Sequence, residues 1–225
     1  MAFIEQIVEW DKQLLLLGNS FHTPFLDDFM LIFSGKLIWI PAAIAILYAV
    51  VRTQRRDALW VIVFLALAIV AADQLSSGVI KPLVARLRPT HEPTLAGLVQ
   101  VVHDYTGGRY GFVSSHAANA CAVALFTSLL FRRTIYSVTM TLWAGFDMYT
   151  RIYLGVHYPG DIICGAAIGI MVALAAFALM KRFAPRTLTH TDEACMDRCV
   201  YAIVSVVAVS VLCIALFHHA WPILA

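Results

Sequence analysis

Long apolar stretches separated by short polar connections dominate the hydropathy pattern of the chain. A helix needs about 20 mostly apolar residues to cross a bilayer core, and six segments approach or reach that length. The third segment is the shortest, and the first includes Lys36. The pattern predicts six transmembrane helices, over Leu31–Val51, Ala58–Val79, Ala117–Phe131, Ile135–Tyr153, Ile162–Phe183 and Val200–Phe217.

The N-terminal segment has a different periodicity. Apolar residues recur near helical spacing from Ile4 to Leu15, while Glu5, Glu9 and Lys12 are polar. This pattern is typical of an amphipathic helix that lies along a membrane surface. The segment lacks the basic start and small-residue cleavage site of a secretory signal peptide.

One connection, residues 80–116, is far longer than the others. It has three prolines near its start and three glycines near its end. Loops of this length are usually functional or disordered, so it is a candidate active-site loop. No internal repeat or second domain is visible, and we expect one domain over residues 1–225.

Composition strengthens the membrane interpretation. Of the 225 residues, 61% are hydrophobic and 13% charged, against about 45–50% and about 25% in soluble domains. A soluble chain of this size cannot bury so much apolar surface. We therefore predict an all-α, polytopic membrane helical bundle of about six transmembrane helices with an N-terminal amphipathic helix.

Net charge and cysteine content exclude several kinds of partner and site. The net charge of +2 is too small to indicate nucleic acid binding. The five cysteines imply no disulfide framework. Cys195 and Cys199, with His190 nearby, lack the spacing and the fourth ligand of a zinc site, so we expect no metal there.

The distribution of basic residues orients the predicted helices. Nine of the 16 lysines and arginines lie in one set of short connections, which the positive-inside rule assigns to the cytoplasm. Both termini and the 80–116 loop then lie outside. The cytoplasmic set is Arg52, Arg55, Arg56, Arg132, Arg133, Lys181, Arg182, Arg186 and Arg198.

Three clusters of chemically active residues lie on the predicted outer side. Lys81 and Arg88 would share one face if the helix continues between them. Ser114 and Ser115 open a helix, where free N–H groups favour a phosphate-like anion. Arg151 can bind two phosphate oxygens.

The histidines complete this set. His157 and Asp161 are four residues apart, so a helical turn would bring them together. A carboxylate on one imidazole nitrogen frees the other for nucleophilic attack. His116 can protonate a leaving group. The set indicates phosphoryl transfer to histidine and then to water, with three cations in the role that a metal ion would otherwise have.

The ordered motifs Lys-x6-Arg-Pro, Ser-x-His and Arg-x5-His-x3-Asp, within residues 81–161, resemble those of the type 2 phosphatidic acid phosphatase and vanadium haloperoxidase superfamily. The resemblance implies a metal-independent site without a cofactor, on the non-cytoplasmic side. In it His157 is the nucleophile, Asp161 its orienting partner and His116 the general acid. Phosphate would be bound by Lys81, Arg88, Ser114, Ser115 and Arg151.

Departures from the family pattern in two of the motifs leave every titrating group in place. Ser115 stands where the family usually has glycine, and Val113 where it has proline. Thr150 replaces the usual serine before Arg151 and keeps its hydroxyl. We expect Ser115 to contribute its N–H group to phosphate.

The expected function is hydrolysis of a lipid phosphate or pyrophosphate in the bacterial cytoplasmic membrane, with the site facing the periplasm or exterior. The resemblance favours undecaprenyl pyrophosphate, with lipid A phosphate and phosphatidylglycerol phosphate as alternatives. A vanadate-dependent haloperoxidase, a silent homologue and a non-enzymatic transporter using Asp73 and Asp147 are rival interpretations. Nothing in the sequence defines the oligomeric state.

The remaining polar residues receive structural interpretations. We expect Arg86 to be an interfacial anchor. Asp73 and Asp147 are expected to form buried hydrogen bonds that brace helices. Five polar residues of the long loop either shape substrate entry or are simply solvated, and we favour the second interpretation: His91, Glu92, His103, Asp104 and Arg109.

Overall fold

The computed structural model describes residues 2–184 and 192–223, and these residues contain no β-strand. The predicted all-α fold is confirmed. Arg186 and His190 lie outside the described residues. The α-helices are α1 (Ala2–Gly18), α2 (Pro24–Phe33), α3 (Ile40–Gln54), α4 (Ala58–Asp73), α5 (Lys81–Val84), α6 (Ser115–Phe131), α7 (Thr134–Tyr153), α8 (Pro159–Phe183) and α9 (Glu193–Phe217).

The predicted N-terminal helix is present as α1. Ile7, Val8 and Leu14 on its apolar side are exposed, whereas Leu15 is fully buried against the rest of the protein. One row of apolar side chains is thus free for lipid while the opposite side packs on the bundle. This arrangement agrees with an amphipathic helix at a membrane surface.

The first predicted span, Leu31–Val51, is wrong at its start. Helix α2 ends at Phe33, and its chain turns through Ser34 and Gly35 before α3 begins at Ile40. Pro41 lies in the first turn of α3, where a missing N–H group costs nothing. Lys36 therefore lies in a turn rather than within a membrane helix.

Helices occupy the other predicted spans as well. Among the described residues, three helical stretches are long and apolar enough to cross a membrane: Leu37–Val84, Pro159–Phe183 and Glu193–Ala220. The first contains α3 and α4, separated by a turn at Arg55–Asp57, and α6 is a shorter apolar helix. The number of six spans remains a prediction.

Close packing of α6 on α8 sets the positions of the two histidine motifs. A Cβ atom at Gly165 would collide with the carbonyl oxygen of Ser114, and one at Gly169 with that of Ala118. Small residues one turn apart let two helix backbones approach closely. The start of α6 is thereby held against the start of α8.

The segment after α4 differs from the sequence expectation. A π-helical stretch, Gln74–Ile80, leads into the short helix α5, which ends where Ala85 adopts a left-handed conformation with φ of 51°. The helix therefore stops between Lys81 and Arg88, and the prediction that they share one helical face is wrong. Their charges nevertheless act on each other across the loop.

Candidate active site

His157 and Asp161 meet at the N-terminus of α8. Tyr158 is the N-cap residue, Pro159 follows it, and the Asp161 carboxylate accepts a hydrogen bond from the Tyr158 N–H group over 3.2 Å. The imidazole Nδ1 of His157 lies 3.3 Å from Oδ2 of Asp161. The predicted pair is present, but it forms across the start of a helix instead of along one helical turn.

Arg86 is part of this site, so its prediction as an interfacial anchor is wrong. Its Nη1 donates to Oδ1 of Asp161 over 2.9 Å, and its Nη2 donates to Oδ2 of Asp11 over 2.7 Å. Asp11, on α1, also accepts from the N–H group of Gly160 over 2.7 Å. The guanidinium stacks on the Tyr158 ring at 3.8 Å.

Arg151, in the last turn of α7, is buried with two of its nitrogens unused. Its exposed fraction is 1%, and Nη2 donates to the Tyr105 hydroxyl over 2.8 Å. Nε and Nη1 have no hydrogen-bond partner among the described residues. A buried guanidinium with free donors is a binding group for an anion, because leaving them unpaired costs free energy.

Arg88 approaches the same place from the long loop. Its Nε donates to the Tyr110 carbonyl and its Nη1 to the Val156 carbonyl, each over 3.2 Å. Burial and then the charge of Arg151 lower the pKa of Arg88 from its ordinary value. An anion bound between these two buried arginines would offset their mutual repulsion.

The start of α6 brings the second motif to the site. Ser114 is the N-cap residue, and its Oγ accepts from the N–H group of Ala117 over 3.4 Å. The N–H group of Ser114 donates to the Asp161 carbonyl over 3.0 Å. Ser115 and His116 follow in the first helical turn, where backbone N–H groups have no partner within the helix.

Positive charge surrounds His157. The side chain is 1% exposed, and its pKa lies well below the ordinary value of 6.5 because burial and nearby cations disfavour the imidazolium. The neutral imidazole is the form that can attack phosphorus. The cations that act on it, in decreasing order, are Arg88, Arg151, Lys81 and Arg86.

A group of residues with metal-ligating atoms lies away from this site. Asp28, His218 and His219 place one ligand atom each within 4.8 Å of one another. The Asp28 carboxylate already binds His103 over 2.8 Å and His218 over 3.1 Å. His103 was expected to be merely solvated, and this contact was missed.

The structure thus brings together all eight residues that the motifs predicted, and it adds three that sequence reasoning missed. Arg86 is two residues from Arg88 within the first motif, and this proximity could have suggested that Arg86 also belongs to the site. Asp11 and Tyr105 lie in an amphipathic helix and a long loop, where no local pattern distinguishes them. Whether the motif residues have their expected catalytic roles remains a prediction.

Comparison with known proteins now identifies the family. The model of the PAP2 superfamily matches residues 57–185. The chain belongs to the PAP2 superfamily. It is 46% identical over 168 residues to a lipid A 4'-phosphatase of Bacteroides thetaiotaomicron, covering 74% of this chain and 75% of that protein.

Further relatives agree with this PAP2 assignment. A lipid A 4'-phosphatase of Porphyromonas gingivalis is 40% identical over 172 residues, covering 75% of this chain and 72% of that protein. The crystal structure of Aquifex aeolicus LpxE superposes with a TM-score of 0.60 and 25% identity, covering 74% of this chain and 93% of that one. This PAP2 protein is a membrane phosphatase that acts on lipid substrates.

Proposed function

We propose that this PAP2 protein removes the 4'-phosphate of a lipid A-type glycolipid through a phosphohistidine on His157. The two curated relatives named lipid A 4'-phosphatase support the substrate. They do not support undecaprenyl pyrophosphate, the substrate that the family resemblance favours. The alternative of a lipid A phosphate therefore takes first place.

The observation that carries the proposal is the pair of unused nitrogens on Arg151. The carbonyl of Arg151 accepts hydrogen bonds from the N–H groups of Val156 and His157, over 3.1 and 3.3 Å. The backbone thus holds Arg151 next to the proposed nucleophile, and the charge of its guanidinium acts on His157. A phosphoryl group bound by Nε and Nη1 would lie where the imidazole can reach it.

The reaction follows from these positions. With Nδ1 held by Asp161, Nε2 of His157 attacks phosphorus, and the bond from phosphorus to the sugar oxygen breaks. His116 gives its proton to that oxygen. Water then attacks the phosphohistidine while His116 takes a proton from the water. Inorganic phosphate is released, and neutral His157 is regenerated. Lys81, Arg88 and Arg151 balance the charge on the phosphoryl oxygens.

The proposal includes a location. The turn Arg55–Asp57 and the residues Arg132 and Arg133 lie at helix ends opposite those that carry the site. The positive-inside rule assigns these basic turns to the cytoplasm. The site then faces the periplasm or exterior from the cytoplasmic membrane of a bacterium, and substrate enters from the outer leaflet.

Phosphate release by purified protein in detergent tests the proposal. The panel contains lipid A with a 4'-phosphate, undecaprenyl pyrophosphate and phosphatidylglycerol phosphate, each with and without EDTA. We expect the fastest release from lipid A, at the 4' position, and no effect of EDTA. His157→Ala should abolish turnover without altering the yield of folded protein. Faster release from undecaprenyl pyrophosphate would contradict the proposed substrate, and full activity of His157→Ala would contradict the nucleophile.

A further inference from the structure

A cavity of about 250 Å³, with several polar side chains in a mainly apolar lining, lies between helices next to His116. It is bordered by the turn before α3, the end of α4, and α6 and α7. This environment is unusual, because a bundle interior between membrane helices is normally apolar. The polar and aromatic side chains of its lining include Lys36, Asp73, His116, Asn119, Trp143 and Asp147.

We infer that this cavity binds the hydroxyl-bearing sugar ring to which the scissile phosphate is attached. The inference rests on the proposed function and deepens it, since it names the part of the protein that recognises the leaving group. It assigns Asn119, Trp143 and Asp147 as the residues that distinguish a glycolipid phosphate from a phosphate on a hydrocarbon chain.

The position of the cavity relative to His116 supports this inference. His116 is the proposed donor of the proton to the leaving oxygen, and it lines the cavity. The lining continues along α6 through Asn119 to Val123, residues that recur on one side of the helix. The cavity therefore extends from the leaving-group side of the phosphate site towards the middle of the bundle.

In a lipid substrate, this is the space for the group between the phosphate and the acyl chains. The phosphate lies at the outer end of the helices, near Arg151, and the acyl chains extend into the bilayer. An isoprenyl phosphate would place hydrocarbon next to the carboxylates in the cavity. A glycolipid would place a sugar ring there.

Polar atoms in the cavity have unused hydrogen-bonding capacity. Asp147 is 6% exposed and lines the cavity. Nε1 of Trp143 and Oδ1 of Asn119 are buried without partners among the described residues. Asn119 does donate from Nδ2 to Asp73 over 3.4 Å. Unpaired buried groups cost free energy, and a ligand with matching hydroxyls would remove that cost.

The chemistry of these groups fits a sugar. Carboxylate and amide oxygens accept hydrogen bonds from hydroxyl groups, and an indole N–H donates one. Indole rings also provide flat apolar surface beside a polar edge, and Trp39 and Trp143 contact each other edge-to-face at 5.6 Å. Because these donors and acceptors converge on one space, a ring with several hydroxyls can satisfy them together.

Two conservative variants test the inference on the full-length protein in mixed micelles. Trp143→Phe removes the N–H donor, which has no partner among the described residues, together with part of the indole ring surface, and the fold loses no hydrogen bond. Asp147→Asn keeps the shape and removes the charge. Trp60→Phe is the matched control, because Trp60 is half exposed on α4 and does not line the cavity.

Two constants are measured for each protein: KM for lipid A bearing a 4'-phosphate, and the inhibition constant of orthovanadate, which binds a phosphate site without any leaving group. We expect KM to rise about three- to tenfold in Trp143→Phe and about tenfold or more in Asp147→Asn. We expect the vanadate constant to change less than twofold. Trp60→Phe should match the wild type in both.

The outcomes separate the two proposals. If the wild type cleaves lipid A and both variants keep its KM, the sugar site is wrong and the proposed function stands. If KM and the vanadate constant rise by the same factor, the variants have damaged the phosphate site and the sugar site is again contradicted. A wild type that releases no phosphate from lipid A contradicts both proposals.

Discussion

Arg86 donates a hydrogen bond to Asp161 over 2.9 Å, on the carboxylate oxygen that does not contact His157. The other oxygen of Asp161 accepts from the N–H group of Tyr158 and faces the imidazole. Both oxygens of the buried carboxylate are therefore occupied, and its orientation is fixed. Arg86 does not touch the reacting atoms in this arrangement, so it is a positioning residue.

Removal of Arg86 should lower turnover without abolishing it. In Arg86→Ala, Asp161 loses a charged hydrogen bond and the imidazole of His157 loses its fixed orientation. Misplacement of a catalytic group by about 1 Å can cost about 10²-fold in rate, so we expect kcat to fall about 10- to 100-fold. Phosphate release by the purified protein measures it. Arg109→Ala, at an exposed position in the same loop, should remain near wild type. Equal activity of Arg86→Ala and wild type would show that the contact has no catalytic importance.

The same variant should change the pH profile. In the proposed mechanism His157 attacks in its neutral form, and burial together with neighbouring cations holds its pKa well below 6.5. Loss of Arg86 removes a positive charge and leaves the Asp161 carboxylate uncompensated, and both changes stabilise the imidazolium and raise the pKa of His157.

We therefore expect the acidic limb of kcat/KM to move to higher pH in Arg86→Ala than in the wild type. Ionisation of the substrate is common to both proteins, so the difference between their profiles belongs to the enzyme. A rate that falls equally at every pH would indicate a purely structural effect of Arg86.

Removal of Asp11 should lower turnover through the same contacts as removal of Arg86. The two side chains form an ion pair over 2.7 Å, and Asp11 also accepts from Gly160 at the start of α8. We expect Asp11→Ala to lower kcat less than Arg86→Ala does, because Asp161 keeps its own contact with the guanidinium. The double variant should resemble Arg86→Ala alone, since groups in one network have non-additive effects. Fully additive losses in the double-mutant cycle would refute a shared network.

Gly169 offers a test of the α6–α8 contact. A methyl group there would meet backbone atoms of Ala118, and backbone cannot move aside cheaply. We expect Gly169→Ala to lower the melting temperature by several degrees, through overpacking of about 1–3 kcal/mol, and to reduce activity as α6 shifts. Gly145→Ala on α7 is the control, since open space surrounds that position. If both variants have the same melting temperature, the close approach of α6 and α8 has no importance for stability.

Sequence reasoning found the helices and the motif residues because both have local patterns. Apolar runs define membrane helices, and Pro159 followed by Asp161 is a typical helix start. The motif spacing also identified His157, His116 and Arg151. These features depend on neighbours within a few residues, so one sequence suffices to detect them.

The missed contacts join distant parts of the chain. Arg86 is separated from both Asp11 and Asp161 by 75 residues. Because arginines often lie at membrane interfaces, the sequence alone favours an interfacial anchor at this position, and that prediction is wrong. A continuous helix from Lys81 to Arg88, the condition under which the two would share one face, does not form because Ala85 adopts a left-handed conformation, which its residue type does not predict. Long-range pairing and backbone reversals of this kind depend on the tertiary fold.

Helix α1 links the membrane surface to His157, the proposed nucleophile, through a chain of contacts. Its exposed apolar residues, such as Trp10 and Leu14, anchor it at the lipid boundary, while Asp11 on the same helix binds Arg86. If the proposed mechanism holds, we expect the depth at which α1 lies in the lipid to affect the Asp161 carboxylate through Asp11 and Arg86. The bilayer would then help to position the proposed nucleophile as well as dissolve its substrate.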